Sequence, residues 1–280
     1  MAVSLSTLRS PVVLLAFSGW NDAGEAATGV VEHLKECYDT EDLDALDSED
    51  YYDFSQSRPL VQTDPVTENR ILVWPGTELF LVRLVERDLV VVIGREPNMR
   101  WRSYCDDVLR RLDGLRPEMV VALGCMITDD PHTRPLPVYA SSPDLAVRDR
   151  FGAQPETYQG PTGITGVMAR AFADQGYDTL SLWGTTPHYS TRHECPKSTL
   201  ALLRRLGEVV DEDLVEGDLP MEAAQWAADV SEVVADDTEL SSYVASLEEA
   251  QDEGLGETTG DDIAAEFQRY LRRERREPNS

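Results

Sequence analysis

The sequence predicts an α/β protein with a three-layer α/β/α core and a C-terminal helical extension. Three observations lead there. Two short runs, Pro11 to Phe17 (PVVLLAF) and Met119 to Cys125 (MVVALGC), are apolar without interruption, as parallel strands covered on both faces are. Helical periodicity follows the first run and precedes the second, so strands and helices alternate. After Leu206 the strand signal stops and only helical spacing continues.

The first run leads directly into SGWNDAGEAATGVVEHL, a strand-turn-helix unit. Asn21 or Asp22 can cap that helix, and Ala26, Ala27, Val30, Val31 and Leu34 form its apolar face. Asp39 to Ser57 is acidic, carries scattered aromatics and has no clean period, which predicts a loop or short irregular helices. Arg70 to Trp74, Leu79 to Leu84 and Leu89 to Gly94 read as three strands, close enough in sequence to be antiparallel neighbours or a hairpin at one side. Arg100 to Leu115 has helical spacing ahead of the Met119 strand. Pro137 to Ser141 reads as a strand, Pro143 to Arg150 as a short helix, and Thr162 to Gln175 as a helix rich in small residues.

Thr179 to Trp183 alternates as a strand. A polar loop then opens at Gly184, carries Pro187, His188, His193 and Cys195, and closes at Pro196, after which Lys197 to Leu206 resumes helical spacing. Leu219 to Ala235, Thr238 to Glu253 and Asp261 to Arg276 read as amphipathic helices. The expected division is an α/β domain over residues 1–206 and an acidic helical extension over 207–280, packed on the core.

With 280 residues and 41% hydrophobic composition, the chain can bury a substantial core. Its 52 acidic and 25 basic side chains give a formal charge of −27, a field that repels nucleic acid and anionic lipid surfaces, so neither is expected as a partner. From Gly207 to Asp262 there are 19 Asp and Glu and no Lys or Arg, after which Arg269, Arg272, Arg273, Arg275 and Arg276 crowd together. Such a block most simply solvates a helical face. No run approaches the roughly 18 apolar residues of a membrane span, and MAVSLSTLRS lacks a signal-peptide pattern, so a cytoplasmic location is expected. Cys37, Cys105, Cys125 and Cys195 are scattered without a CxxC pair, which fits free thiols; no metal or other cofactor is expected.

In an open α/β sheet, the loops leaving the carboxyl ends of strands form the crevice where ligands bind. Ser18 to Gly24 offers Gly19, Asn21 and Asp22 at a helix N-terminus that favours an anion, although Asn and Asp are also ordinary caps there. REPNMRWR sets Asn98 and Arg100 beside Trp101, a pair able to hold a carboxylate or phosphate; a capped helix start with a packed Trp uses the same residues. MITDDPHTR presents Asp129, Asp130 and His132, suited to acid/base work or to a proline-punctuated Asx turn. His188, His193 and Cys195 are metal or nucleophile types, but their spacing fits no ligand signature and loop packing accounts for them. GPTGITG is neither GxGxxG nor a P-loop.

Taken in order, SGWNDAGEAATG, REPNMRWRSYCDDVL, LGCMITDDPHTRPLPV, YQGPTGITGVM and SLWGTTPHYSTRHECPKSTLALLRRL resemble the actinobacterial branch of the PAC2 family, named for proteasome assembly chaperone 2. The resemblance spans about Pro11 to Leu206. It implies a fold similar to nucleoside phosphorylases, self-association and, from eukaryotic and archaeal relatives, chaperoning of proteasome α subunits. It also puts the Gly19 turn where phosphorylases bind phosphate, while carrying over no complete set of base- and ribose-binding residues. Glu277-Pro278-Asn279-Ser280 departs from the hydrophobic-Tyr-X tail by which some archaeal relatives dock on the proteasome.

Two functions are expected from these readings. The leading one is a non-enzymatic, self-associating homo-oligomer that binds another protein, with proteasome subunits as the candidate partner. The alternative is a small-molecule hydrolase, transferase or ligand-binding protein with a phosphorylase-like pocket of Gly19, Asn21, Asp22, Asn98, Arg100, Asp129, His188 and His193.

Overall fold

In a computed structural model of the chain, which describes residues 5–64, 67–190 and 194–256, the first apolar run becomes the central strand of a seven-stranded sheet. The elements are β1 (Val12–Ser18), α1 (Ala26–Cys37), β2 (Thr40–Leu46), β3 (Leu60–Thr63), β4 (Arg70–Val73), β5 (Thr77–Arg83), β6 (Asp88–Arg95), α2 (Trp101–Arg111), β7 (Met119–Thr128), β8 (Tyr139–Ser141), α3 (Leu145–Phe151), α4 (Ile164–Asp174), β9 (Thr179–Pro187), α5 (Pro196–Val210), α6 (Leu219–Ala235) and α7 (Thr238–Gly256). The sheet order is β2-β5-β6-β1-β7-β9-β8. The four strands β6, β1, β7 and β9 run parallel, and the outer pairs are antiparallel. The expected helix Asp261 to Arg276 and His193 lie outside the described residues.

Val12 to Phe17 is buried throughout, because the period of two sends alternate side chains into two cores. Val13, Leu15 and Phe17 pack with Tyr104 and Val108 of α2 and with Ile164, Met168 and Phe172 of α4. Val12, Leu14 and Ala16 pack with Ala26, Val30 and Leu34 of α1 and with Leu202, Leu203 and Leu206 of α5. This is the expected three-layer arrangement. The helix α5 continues past Leu206 to Val210, and α6 adds Leu219 and Ala223 to the α1–α5 core. A third cluster joins Trp226, Val230 and Val234 of α6 and Val244 of α7 to Leu136 and Cys195.

Three local expectations are corrected. The acidic segment after Asp39 is not all loop: Thr40–Leu46 pairs antiparallel with β5 as an edge strand. Its ladder needs only backbone groups, and its acidic side chains stand in water, where they also guard the edge. The strand Arg70–Val73 does not join the Leu79 and Leu89 strands, which do form the expected antiparallel pair; it pairs with the unanticipated β3 in a separate two-stranded ribbon. The strand beginning at Thr179 runs through Gly184 to Pro187, so the loop starts at His188. At Gly184 a Cβ would come 3.1 Å from the Leu202 side chain, so glycine lets α5 lie close on the strand.

The buried side chain of Asp88 fastens the start of β6 to the N-terminal segment. It accepts from the Arg9 backbone N–H at 2.8 Å, from Arg9 Nη2 at 2.8 Å and from Arg83 Nη1 at 3.0 Å. Burial pushes this carboxyl's pKa up, but the Arg9 hydrogen bonds and the Arg83 and Arg9 charges outweigh it, and the net shift is downward. A depressed carboxylate contributes stability above its ordinary pKa of about 4, and that contribution is lost as pH falls through the folded value. Asp88→Asn is therefore expected to cost about 1–3 kcal/mol at neutral pH. It should also flatten the acid side of the stability profile, as read by urea denaturation at descending pH.

Candidate functional site

The parallel strands β6, β1, β7 and β9 end at Arg95, Ser18, Thr128 and Pro187, so the loops that follow share the carboxyl edge of the sheet. At its centre, the turn after β1 needs Gly19, whose φ is 130°. The Asn21 carbonyl accepts from the Cys125 N–H at 2.8 Å, which ties the turn to β7. The Asp22 carboxylate faces back into the first turn of α1. It accepts from the Ala27 N–H at 2.7 Å, the Thr28 N–H at 3.3 Å and the Thr28 hydroxyl at 2.5 Å. Burial raises the pKa of Asp22, and these hydrogen bonds oppose the rise.

Beside it, Glu96 donates its backbone N–H to Ser18 O at 2.9 Å and uses its carboxylate to accept from the Ile164 N–H at 2.8 Å, the first residue of α4. Two helix N-termini at this edge thus carry a carboxylate of the chain itself, in the position a phosphate would take. Asn21 Oδ1 is buried with no hydrogen-bond partner among the described residues. It lies against Gly163, where a Cβ would be 1.8 Å from it.

Asn98 and Arg100 lie in the loop after β6 and hold the 50–53 segment to the start of α2. Asn98 Oδ1 accepts from the Asp53 N–H at 3.0 Å, and its N–H donates to Tyr51 O at 3.0 Å. Arg100, at φ 58°, pairs with Asp50 at 2.8 Å and lies 5.9 Å from the centre of the Tyr51 ring. Burial and the hydrogen bond to Asp107 push the Tyr51 hydroxyl up to about 12, so it stays protonated as a donor. Trp101 is half-buried and donates its indole N–H to Pro97 O at 2.6 Å.

Asp129 and His188 meet on the other side of the mouth, at 3.2 Å, and Tyr243 of α7 donates to the same carboxylate oxygen at 3.2 Å. The rings of Tyr189 and Tyr243 each stand edge-on to His188 with centroids 5.4 Å away. The buried His132 is held at both ring nitrogens, by Tyr189 OH and Ser231 Oγ, each at 2.9 Å. Burial, followed by the Lys197 charge, lowers its pKa and keeps it neutral near pH 7. Arg134 grips Asp252 of α7 through two nitrogens, at 3.0 and 2.9 Å. The sequence singles out Asp129, His132 and His188 and an extension packed on the core, but not these particular contacts, because Ser231, Tyr243 and Asp252 are about a hundred residues away from His132, Asp129 and Arg134. Cys195 is buried and burial raises its thiol pKa, which opposes nucleophile activation.

The seven described sequence candidates therefore share one edge of the sheet but fall into separate contact sets; His193 lies outside the described residues. A cleft of about 900 Å³ opens elsewhere, between α5, α6 and the β7–β8 connection, lined by Leu136, Val138, Lys197, Leu200 and Arg204 among others. Among the described residues it contains none of the candidates.

Residues 16–234 match the PAC2 family. The chain belongs to that family. Among solved structures, a PAC2 family protein from Streptomyces avermitilis is 43% identical, over 84% of this chain and 99% of that one, with a TM-score of 0.78. A proteasome-assembly chaperone homologue from Mycobacterium tuberculosis is 40% identical, over 83% of this chain and 99% of that one, with a TM-score of 0.75. An archaeal proteasome activator from Pyrococcus furiosus, 14% identical over 81% of this chain and 94% of that one, shares the fold at a TM-score of 0.64. No curated protein matches the chain.

In this PAC2 protein the carboxylates of Asp22 and Glu96 are caps. Asp22→Ala and Glu96→Ala are each expected to lower stability by about 1–2 kcal/mol. Millimolar inorganic phosphate should leave the wild-type Tm unchanged. Thermal scans with and without phosphate check both; a phosphate-induced rise in Tm would contradict the filled anion position.

Proposed function

We propose that this PAC2 protein is a non-enzymatic, chaperone-like protein of the cytoplasm that forms a homo-oligomer and binds proteasome subunits. The observation that carries this reading is the 40% identity to a proteasome-assembly chaperone homologue, across nearly the whole of that relative. The mouth of the sheet supports it. Asp22, Glu96, Asn98, Arg100, Asp129 and His188 each spend their polar atoms on neighbouring elements of the same chain. The net charge of −27 disfavours nucleic acid and anionic lipid as partners. Among the described residues no helix is long and apolar enough to cross a membrane.

A second reading, a small-molecule pocket at the mouth, draws on the buried and unpartnered Asn21 Oδ1. A bound hydroxyl or amine donor would satisfy that oxygen, whose isolation costs about 1–3 kcal/mol.

Native mass spectrometry of the purified protein, alone and with proteasome α subunits from the same source, separates the two. The expected result is a bare homo-oligomer that captures α subunits. Failure to capture them at concentrations that saturate known assembly partners would sink the chaperone reading. A co-purified small molecule that disappears in the Asn21→Ala, Arg100→Ala double variant would establish the pocket instead.

A further inference from the structure

The β3–β4 ribbon is apolar on both faces, and among the described residues neither face is covered. All eight residues of its two strands are exposed. The register pairs Leu60 with Val73 and Val61 with Leu72, so Leu60, Ile71 and Val73 share one face while Val61 and Leu72 share the other. Exposure of these five side chains runs from 39% at Val73 to 58% at Leu60. Trp74, 49% exposed, continues the apolar surface at the base, where its ring stands edge-on to Phe54 with centroids 4.8 Å apart. Six large apolar side chains at about half exposure offer on the order of 500 Å² of apolar surface, divided between the two faces of the ribbon. An occupant that covers both faces and is matched by an equal area reaches the roughly 1,000 Å² a specific interface requires.

We propose that this ribbon is the self-association element of the protein and that its occupant is a second copy of the same chain. The inference rests on the homo-oligomeric reading above and locates it. Charge selects the occupant. Between Arg58 and Trp74 the sequence carries two arginines, Arg58 and Arg70, and two acids, Asp64 and Glu68, so the stretch is neutral within a chain of net charge −27. Two copies repel wherever their acidic surfaces face each other, and this neutral apolar element is where they meet without that cost. A basic partner, by contrast, would be drawn to the acidic surfaces and not to the ribbon.

The backbone agrees. A two-stranded sheet leaves one open edge on each strand, and β3 (LVQT) has no charge and no proline within it, the devices by which solitary edges are normally protected. A hairpin of this kind is marginal by itself and gains its stability from what it packs against.

The test is light scattering and native mass spectrometry on the full chain, comparing wild type with Val61→Glu, Leu72→Glu, a cross-strand pair on one face of the ribbon. Val85→Glu, at a 76% exposed apolar residue outside the ribbon, is the control. The wild type and the control are expected to be oligomers of one mass, and the double variant to dissociate with a rise of roughly tenfold or more in dissociation constant. Circular dichroism should be unchanged. In the wild type, hydrogen exchange at Leu60 to Thr63 should slow as protein concentration rises, which tests the same contact without a substitution. An oligomer of wild-type mass and affinity in the double variant, with β3 exchange independent of concentration, overturns the ribbon as the contact while leaving self-association standing. A monomeric wild type overturns both. Capture of α subunits is scored separately, so loss of the oligomer and loss of the proteasome reading are distinguishable.

Discussion

The architecture depends on β1 being buried from both sides. Because its side chains alternate, one six-residue run, Val12 to Phe17, supplies two hydrophobic cores, and the helices must be distributed on both faces to cover them. That placement puts β6 and β7 in parallel on either side of β1 and so gathers the following loops at one edge. The location of the mouth is a consequence of core packing.

What the mouth can do is limited by electrostatics. An α/β fold of this kind directs helix N-termini toward the crevice, and their partial positive charge attracts an anion. Here the attraction is answered within the chain, by Asp22 on α1 and Glu96 on α4. Asn98 and Arg100 brace the 50–53 segment, and the Asp129, His188 and Tyr243 contacts bring α7 against the β7 loop. The polar residues that look like chemistry in the sequence act together as fasteners between elements.

Charge distribution adds a second constraint. An excess of 27 negative charges keeps copies of the chain apart except where the surface is neutral and apolar, and the β3–β4 ribbon is such a place. The acidic residues of β2 serve the opposite purpose at the sheet's own edge, where they hinder further pairing. One edge is protected and the other is left open.

Much of this was legible in the residues. The uninterrupted runs at Val12 and Met119, the helical faces of α1, α2, α4 and α5, and the bounds of α6 at Leu219 and Ala235 follow from periodicity, because a local repeat and its burial are written in adjacent residues. The ordered motifs likewise carried the family. The tertiary structure decided what depends on partners distant in sequence. It made Thr40–Leu46 a strand by setting it beside β5, gave Arg70–Val73 the partner β3, and drew the Thr179 strand out through Gly184 under Leu202. It also decided between the two roles open to Asp22, anion-site residue and helix cap, by folding its carboxylate onto the first turn of α1, and joined His132 to Ser231 across 99 positions. A side chain's type limits the bonds it can make, but which bond it makes is set by what the folded chain brings within about 3 Å of it.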